Sequence, residues 1–188
     1  MATTQPNKHY TYADYTGWDD GVRYELIEGV PYMINAPSWE HQFISASLIT
    51  QINTFLKGHP CMVFAAPFDV RLNADKNDDT VFQPDLVVIC DRSKLSGTGC
   101  MGSPDMVIEI LSPSSVRHDR LVKFQHYQNA GVREYWIVDP ENKIVSVHIL
   151  ENGKYITNAY GDTDAVPVHV LDGCQVNMGD VFEAVIRP

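Results

Sequence analysis

Two runs constrain this chain most: DLVVIC at residues 85–90 and DMVIEIL at residues 105–111, each entered through a proline, Pro84 and Pro104. Short, near-continuous stretches of Val, Ile and Leu read as strands buried on both faces. A sheet built on such strands must be covered by a layer on either side. With 188 residues, 44% of them hydrophobic, the chain is long enough to supply that cover from one domain spanning residues 1–188.

The remaining segments supply the layers. Tyr10 to Trp18 reads as a short helix capped by Thr11 and ended by the Asp19–Gly21 turn. RYELIEG (residues 23–29) and PYMINAP (31–37) read as a hairpin around Gly29. Ser38 opens a long helix with Ile44, Leu48, Ile49, Ile52, Phe55 and Leu56 on one face, closed by Gly58 and Pro60. CMVFAA and FDVRL add strands, and NADKNDDT after them reads as a turn or mobile loop. A second helix is expected over residues 115–130, stopped by Gly131 and followed by the strand REYWIVD, which makes a βαβ-like unit. KIVSVHIL, GKYITNAY and VPVHVLDG are expected as antiparallel strands completing one side of a single mixed sheet. The class is α/β or α+β.

The formal charge of −10 disfavours nucleic acid as a partner, because phosphates are bound mainly through Lys and Arg. Locally the balance differs: residues 112–126 hold Arg117, Arg120 and Lys123 against Asp119 alone. The first ten residues lack the apolar run of a signal peptide, and no segment has the ~20 apolar residues that span a bilayer. The cytoplasm is the expected location. The four cysteines include no CxxC pair, and Cys61 and Cys90 in apolar runs are expected as small packing hydrophobes without a disulfide or zinc.

The strands carry acids that packing does not explain. Alternation in DMVIEIL puts Val107, Glu109 and Leu111 on one face and Met106, Ile108 and Ile110 on the other. Glu109 therefore points into an apolar layer, where an ionised carboxylate needs a partner, a proton or a metal. Asp85 and Glu109 on neighbouring strands present the hard oxygens that suit Mg²⁺. Taken alone, Asp85 also reads as a strand-start residue bonding to a loop. On the second helix Asp119, Lys123 and Tyr127 are spaced by four and form one stripe, which reads either as a solvated ion pair or as a group delivered over the sheet toward Glu109.

RYELIEG, SWEHQ, QPDLVV, VIEILSPSS, D-x-x-x-K-x-x-x-Y and GVREYWIVDP, in that order over about residues 12–150, resemble the Uma-two family of restriction-endonuclease-like proteins. That family is grouped with the PD-(D/E)xK nucleases. The resemblance implies a mixed sheet flanked by helices, a first acid at Asp85 and a second at Glu109. The lysine two positions after the second acid is absent, since Leu111 stands there; the resemblance implies that Lys123 on the following helix takes its place. It also draws attention to Glu25, as a further ligand or water-orienting acid or simply an exposed strand acid, and to His41, Gln83 and Tyr127 as supporting residues.

The implied chemistry is hydrolysis of DNA phosphodiester bonds. Asp85, Glu109 and the Ile110 carbonyl would hold Mg²⁺, for which Mn²⁺ could substitute, and Lys123 would orient the attacking water. Arg117 and Arg120 would contact flanking phosphates. Lys123→Ala is expected to abolish cleavage and leave the fold nearly intact. A homodimer would bring two sites to two strands. The other readings are a non-catalytic binding or scaffold module, in which acids and lysine form a buried ion network, and a hydrolase of another phosphoester.

Overall fold

The computed structural model describes residues 8–113 and 115–183. Most of the N-terminal stretch read for a signal peptide, and Ser114 of the VIEILSPSS block, lie outside them. Among the described residues no helix is long and apolar enough to cross a membrane.

The first element among the described residues is α1 (Tyr12–Tyr15), whose Asp14 carboxylate accepts from the Thr11 backbone N–H at 3.0 Å. β1 (Tyr24–Ile27) and β2 (Val30–Met33) follow as an antiparallel hairpin in which Glu25 lies opposite Tyr32. The two-residue turn between them needs left-handed backbone at Glu28 and Gly29, with φ of 49° and 75°, as a tight hairpin demands. A side chain at Gly29 would also collide with the His9 ring.

Next come α2 (Trp39–Phe55), β3 (Met62–Ala65), β4 (Asp69–Arg71), β5 (Val81–Phe82) and β6 (Leu86–Ile89). β7 (Leu95–Ser96), β8 (Gly99–Met101) and β9 (Met106–Ile110) lead to a π-helical turn (His118–Lys123), which continues into α3 (Phe124–Ala130). Gly131, in left-handed conformation, ends α3 as the sequence predicts. β10 (Glu134–Asp139), β11 (Ile144–Glu151), β12 (Lys154–Tyr160), β13 (Ala165–Pro167), β14 (Gln175–Asn177) and α4 (Met178–Phe182) complete the described chain.

The α+β class is as expected, but the strands form two six-stranded sheets rather than one. The central sheet runs β12-β11-β10-β9-β6-β3 and the second β2-β1-β5-β4-β8-β7. β9 and β10 are parallel, joined over the sheet by the π turn and α3, so the βαβ-like unit is present. β10 pairs antiparallel with β11, and β11 with β12. VPVHVLDG does not extend that sheet. Its first residues enter β13, which pairs only with β14.

Alternation in the central strands explains the layering. Leu86, Val88, Met106, Ile108 and Ile110 face one way and pack against Ile44, Leu48 and Ile52 of α2. Val87, Ile89, Val107 and Leu111 face the other way and share a core with Val70 and Phe82 of the second sheet, with Phe68 just before β4 and with Tyr127 of α3. The second sheet thus serves as cover for the first, which is why its strands are short and less uniformly apolar.

One of two local expectations is met and one corrected. The NADKNDDT segment is a turn, held by bonds from Asn73 to Asp79 and Thr80 and by the pair of Arg71 with Asp78 at 2.6 Å. Cys61 and Cys90 are joined in a disulfide. The β3–β6 register sets Met62 opposite Ile89, so the two cysteines at the ends of the paired strands face each other, a relation that their spacing of 29 residues conceals. Cys100 and Cys174 are free and buried.

Candidate active site

Antiparallel pairing of Leu86 with Ile108 places Asp85 across from Glu109, and by strand alternation both lie on the face turned toward the second sheet. Asp85 is fastened through Oδ2, which accepts from the Ile110 backbone N–H at 2.7 Å and lies 3.1 Å from His41 Nε2. One oxygen thus ties the strand start to β9. Oδ1 makes no hydrogen bond among the described residues, and Asp85 lines the adjoining cavity.

Glu109 is 3% exposed. Its Oε1 accepts from Lys123 Nζ and from the Tyr127 hydroxyl, each at 2.9 Å. The Asp119, Lys123, Tyr127 stripe thus faces inward onto the sheet. The expected α-helix is widened there into a π turn, a form with i→i+5 bonding that is frequent where a helix serves a site. Lys123 Nζ also lies 2.9 Å from Glu25 Oε1 and 3.5 Å from Asp119 Oδ1. Tyr135 holds the Asp119 backbone by donating to its carbonyl.

Glu25 is buried, so the reading of it as an exposed strand acid is corrected. It arrives from the second sheet and accepts from the Gln83 backbone N–H at 3.0 Å. Gln83 in turn receives both Nε and NH2 of Arg23 on its side-chain oxygen, at 3.0 and 2.8 Å. Its amide NH₂ donates to Tyr15 and to Asp69.

Electrostatics sort the carboxyls. Burial raises the Glu25 pKa, but the Lys123 charge and the His118 contact outweigh it and bring the carboxyl down to about 2. Burial pushes Glu109 well above the ordinary carboxylate range, with Asp119, Asp85 and Glu25 adding to the rise against the pull of Lys123. Asp119 is raised, chiefly by burial. Lys123 is held well above its usual value because three carboxylates outweigh its burial. Burial would lower His41; the hydrogen bond and charge of Asp85 raise it.

These groups open on a cavity of about 530 Å³. Glu25, His41, Gln83, Asp85, Glu109, Ile110, Asp119 and Lys123, all singled out in the sequence, line it, while Tyr127 supports Glu109 from behind. Arg117 and Arg120 do not line it, and Arg120 is paired with Asp139 at 3.0 Å. Two lining residues with basic side chains were not singled out as site residues. Arg23 shares a strand face with Glu25 by its i,i+2 spacing, which was legible. His118, 3.4 Å from Glu25 Oε2, follows from no spacing rule.

Among the described residues, no three His, Cys, Asp or Glu groups converge as a preformed cation cage. Glu25, Glu109 and Asp119 converge on the Lys123 ammonium instead. Asp85 lines the same cavity, and this excess of carboxylates over the one ammonium favours bound cations or retained protons.

Acids on adjacent strands of a mixed sheet, with a lysine brought onto the second of them by the next helix, form the arrangement that the restriction-endonuclease-like resemblance leads one to expect. The model of the Uma2 family, described as "Putative restriction endonuclease", matches residues 11–179, and the chain belongs to that family. Membership makes it a nuclease-class protein and nucleic acid its class of substrate. The fold is similar to a crystal structure of a "putative nuclease belonging to DUF820" from Anabaena variabilis, with TM-score 0.76 and 21% identity over 94% of this chain and 99% of that one. The sequence is 26% identical over 155 residues, 80% of each chain, to the uncharacterized protein slr1290 of Synechocystis sp..

Proposed function

We propose that the protein is a divalent-cation-dependent endonuclease that hydrolyses DNA phosphodiester bonds. The observation that carries this reading is the meeting of Asp85, Glu109 and Lys123: two acids opposed across paired strands, with the ammonium 2.9 Å from the second.

The donor set suits Mg²⁺ or Mn²⁺. Asp85 and Glu109 are hard oxygen donors, each with one oxygen unbonded among the described residues, and the Ile110 carbonyl belongs to the same cavity wall. Asp85, Glu109 and Ile110 would hold the cation, which when bound polarises the phosphate and makes water more acidic. Lys123 supplies a fixed positive charge that offsets charge growing on the phosphoryl oxygens. Glu25 keeps that lysine ionised and aimed. Tyr127 donates to the Glu109 carboxylate, Asp119 stands as a third carboxylate beside the lysine, and His41 orients Asp85.

A second reading, a non-catalytic module with a closed ion network, is favoured by the convergence of three carboxylates on Lys123 in place of a cation cage. Titration of the protein with Mn²⁺, followed by calorimetry and electron paramagnetic resonance, separates the two. Nuclease assays with Mg²⁺ and Mn²⁺ on single-stranded and plasmid DNA complete the test. Specific binding with cleavage, both lost in Asp85→Asn and Glu109→Gln, is expected. Failure to bind Mn²⁺ even with oligonucleotide present overturns the nuclease reading in favour of the network.

A further inference from the structure

The wall of the cavity facing the acids carries its own information about substrate. The cavity is lined by two side chains of fixed positive charge, Arg23 and Lys123; Lys123 is shared with three carboxylates, and Arg23 has no acid partner among the described residues. A protein that grips duplex DNA typically neutralises about 6–10 phosphates. A chain of net charge −10, with Arg117 and Arg120 outside the cavity lining, offers nothing near that at this site.

It offers a different set of contacts. Tyr32 lies opposite Glu25 on the hairpin, so both face the cavity; its ring is 5.6 Å from that of His118 and the residue remains 45% exposed. Met33, Ile34 and Pro37 continue an uncharged wall beside it. Arg23 sits on the same hairpin face. Its Nε and NH2 are held by the neutral side-chain oxygen of Gln83, not by a carboxylate, so its charge is fixed in direction without being cancelled. Gln83 is itself clamped by Asp69 and Tyr15. An aimed guanidinium beside an exposed aromatic ring fits one nucleotide: phosphate on the first, base stacked on the second.

We infer that the site takes single-stranded or unpaired DNA, with Arg23 binding a phosphate next to the scissile bond and Tyr32 stacking the adjoining base. This rests on the nuclease reading for its chemistry but not for its binding geometry. A duplex keeps its bases stacked inside and cannot present one to Tyr32 without unpairing.

The test compares a fluorescein-labelled 20-nucleotide single strand with the same sequence annealed as a blunt duplex. Cleavage is measured in Mn²⁺ and binding by anisotropy in Ca²⁺. The single strand is expected to be cut and bound at least about tenfold better. Tyr32→Ala is expected to raise its KM and Kd about tenfold with little change in kcat, and Tyr32→Phe to restore both, because stacking needs the ring and not the hydroxyl. Arg23→Gln should weaken binding of the strand and lower its salt dependence by about one phosphate contact. Equal or better cleavage of the duplex, or a Tyr32→Ala variant with unchanged KM and Kd, overturns the inference. Tyr32-dependent single-strand binding without cleavage of any DNA leaves the subsite standing and removes the nuclease reading instead.

Discussion

Nζ of Lys123 lies 2.9 Å from Oε1 of Glu109, a contact between the helix that crosses the central sheet and a strand inside that sheet. The lysine is 5% exposed and meets Glu25 and Asp119 as well. Its removal would leave three buried carboxylates without their cation, so the expectation that Lys123→Ala leaves the fold nearly intact does not survive this geometry. Lys123→Met should lower stability by about 3–5 kcal/mol at pH 8. The loss should shrink toward pH 5, because carboxylates whose folded pKa is raised take up protons there and no longer repel. Urea unfolding at the two pH values checks this; an equal loss at both would contradict it.

Glu109→Gln should behave in the opposite way. Glu109 has a folded pKa raised well above its ordinary value by burial and neighbouring acids. It binds more protons folded than unfolded, and stability falls as pH rises above the unfolded value. The amide keeps an oxygen for Lys123 and Tyr127 without the charge. At pH 8 the variant should melt several degrees higher than the unmodified protein while losing Mn²⁺ binding, which calorimetric melting and Mn²⁺ titration of the same samples would show. A lower melting temperature would mean that Glu109 is ionised and stabilising.

Asp69 anchors a second polar cluster. Its carboxylate accepts from Tyr12, Tyr15, Gln83 and Thr98 at 3.0–3.1 Å and is 6% exposed. Asp69→Leu would strand these donors and cost at least about 3 kcal/mol. Gln83 would also lose the clamp that aims Arg23. Thermal melting measures the first effect. A weakened single-strand Kd in the milder Asp69→Asn variant measures the second.

What the sequence revealed and what it hid follow from how far each signal reaches. The alternation around Glu109, the four-residue stripe from Asp119 to Tyr127 and the Glu28–Gly29 turn are local, and each appears where its spacing puts it. The Cys61–Cys90 bond, the Asp69 cluster and the approach of Glu25 to Lys123 depend on which strands become neighbours. FDVRL gives no local sign that its acid is buried, and RYELIEG looks like an ordinary half-exposed strand until a second sheet covers the first. The π turn is hidden for another reason: the four-residue stripe that marks a helix face does not tell i→i+5 from i→i+4 bonding.

His148 supplies a pH dependence independent of the site. It lies in β11 with Nδ1 2.7 Å from the Thr157 hydroxyl, Nε2 buried without a partner among the described residues, and the rings of Phe124, Tyr135 and Tyr155 around it. Burial, with a smaller push from Arg120, lowers its pKa from 6.5 to about 4. The folded state therefore resists a proton that the unfolded chain accepts. The stabilisation is complete above about pH 6.5 and is lost as pH falls toward 4. Between pH 7.5 and 5 this amounts to about 2 kcal/mol. His148→Gln keeps a polar partner for Thr157 but cannot titrate, so its unfolding free energy should fall less steeply over that interval, by about the same amount. Parallel urea-midpoint profiles for the two proteins would mean that His148 is protonated as readily in the fold as outside it, and that acid destabilisation originates elsewhere.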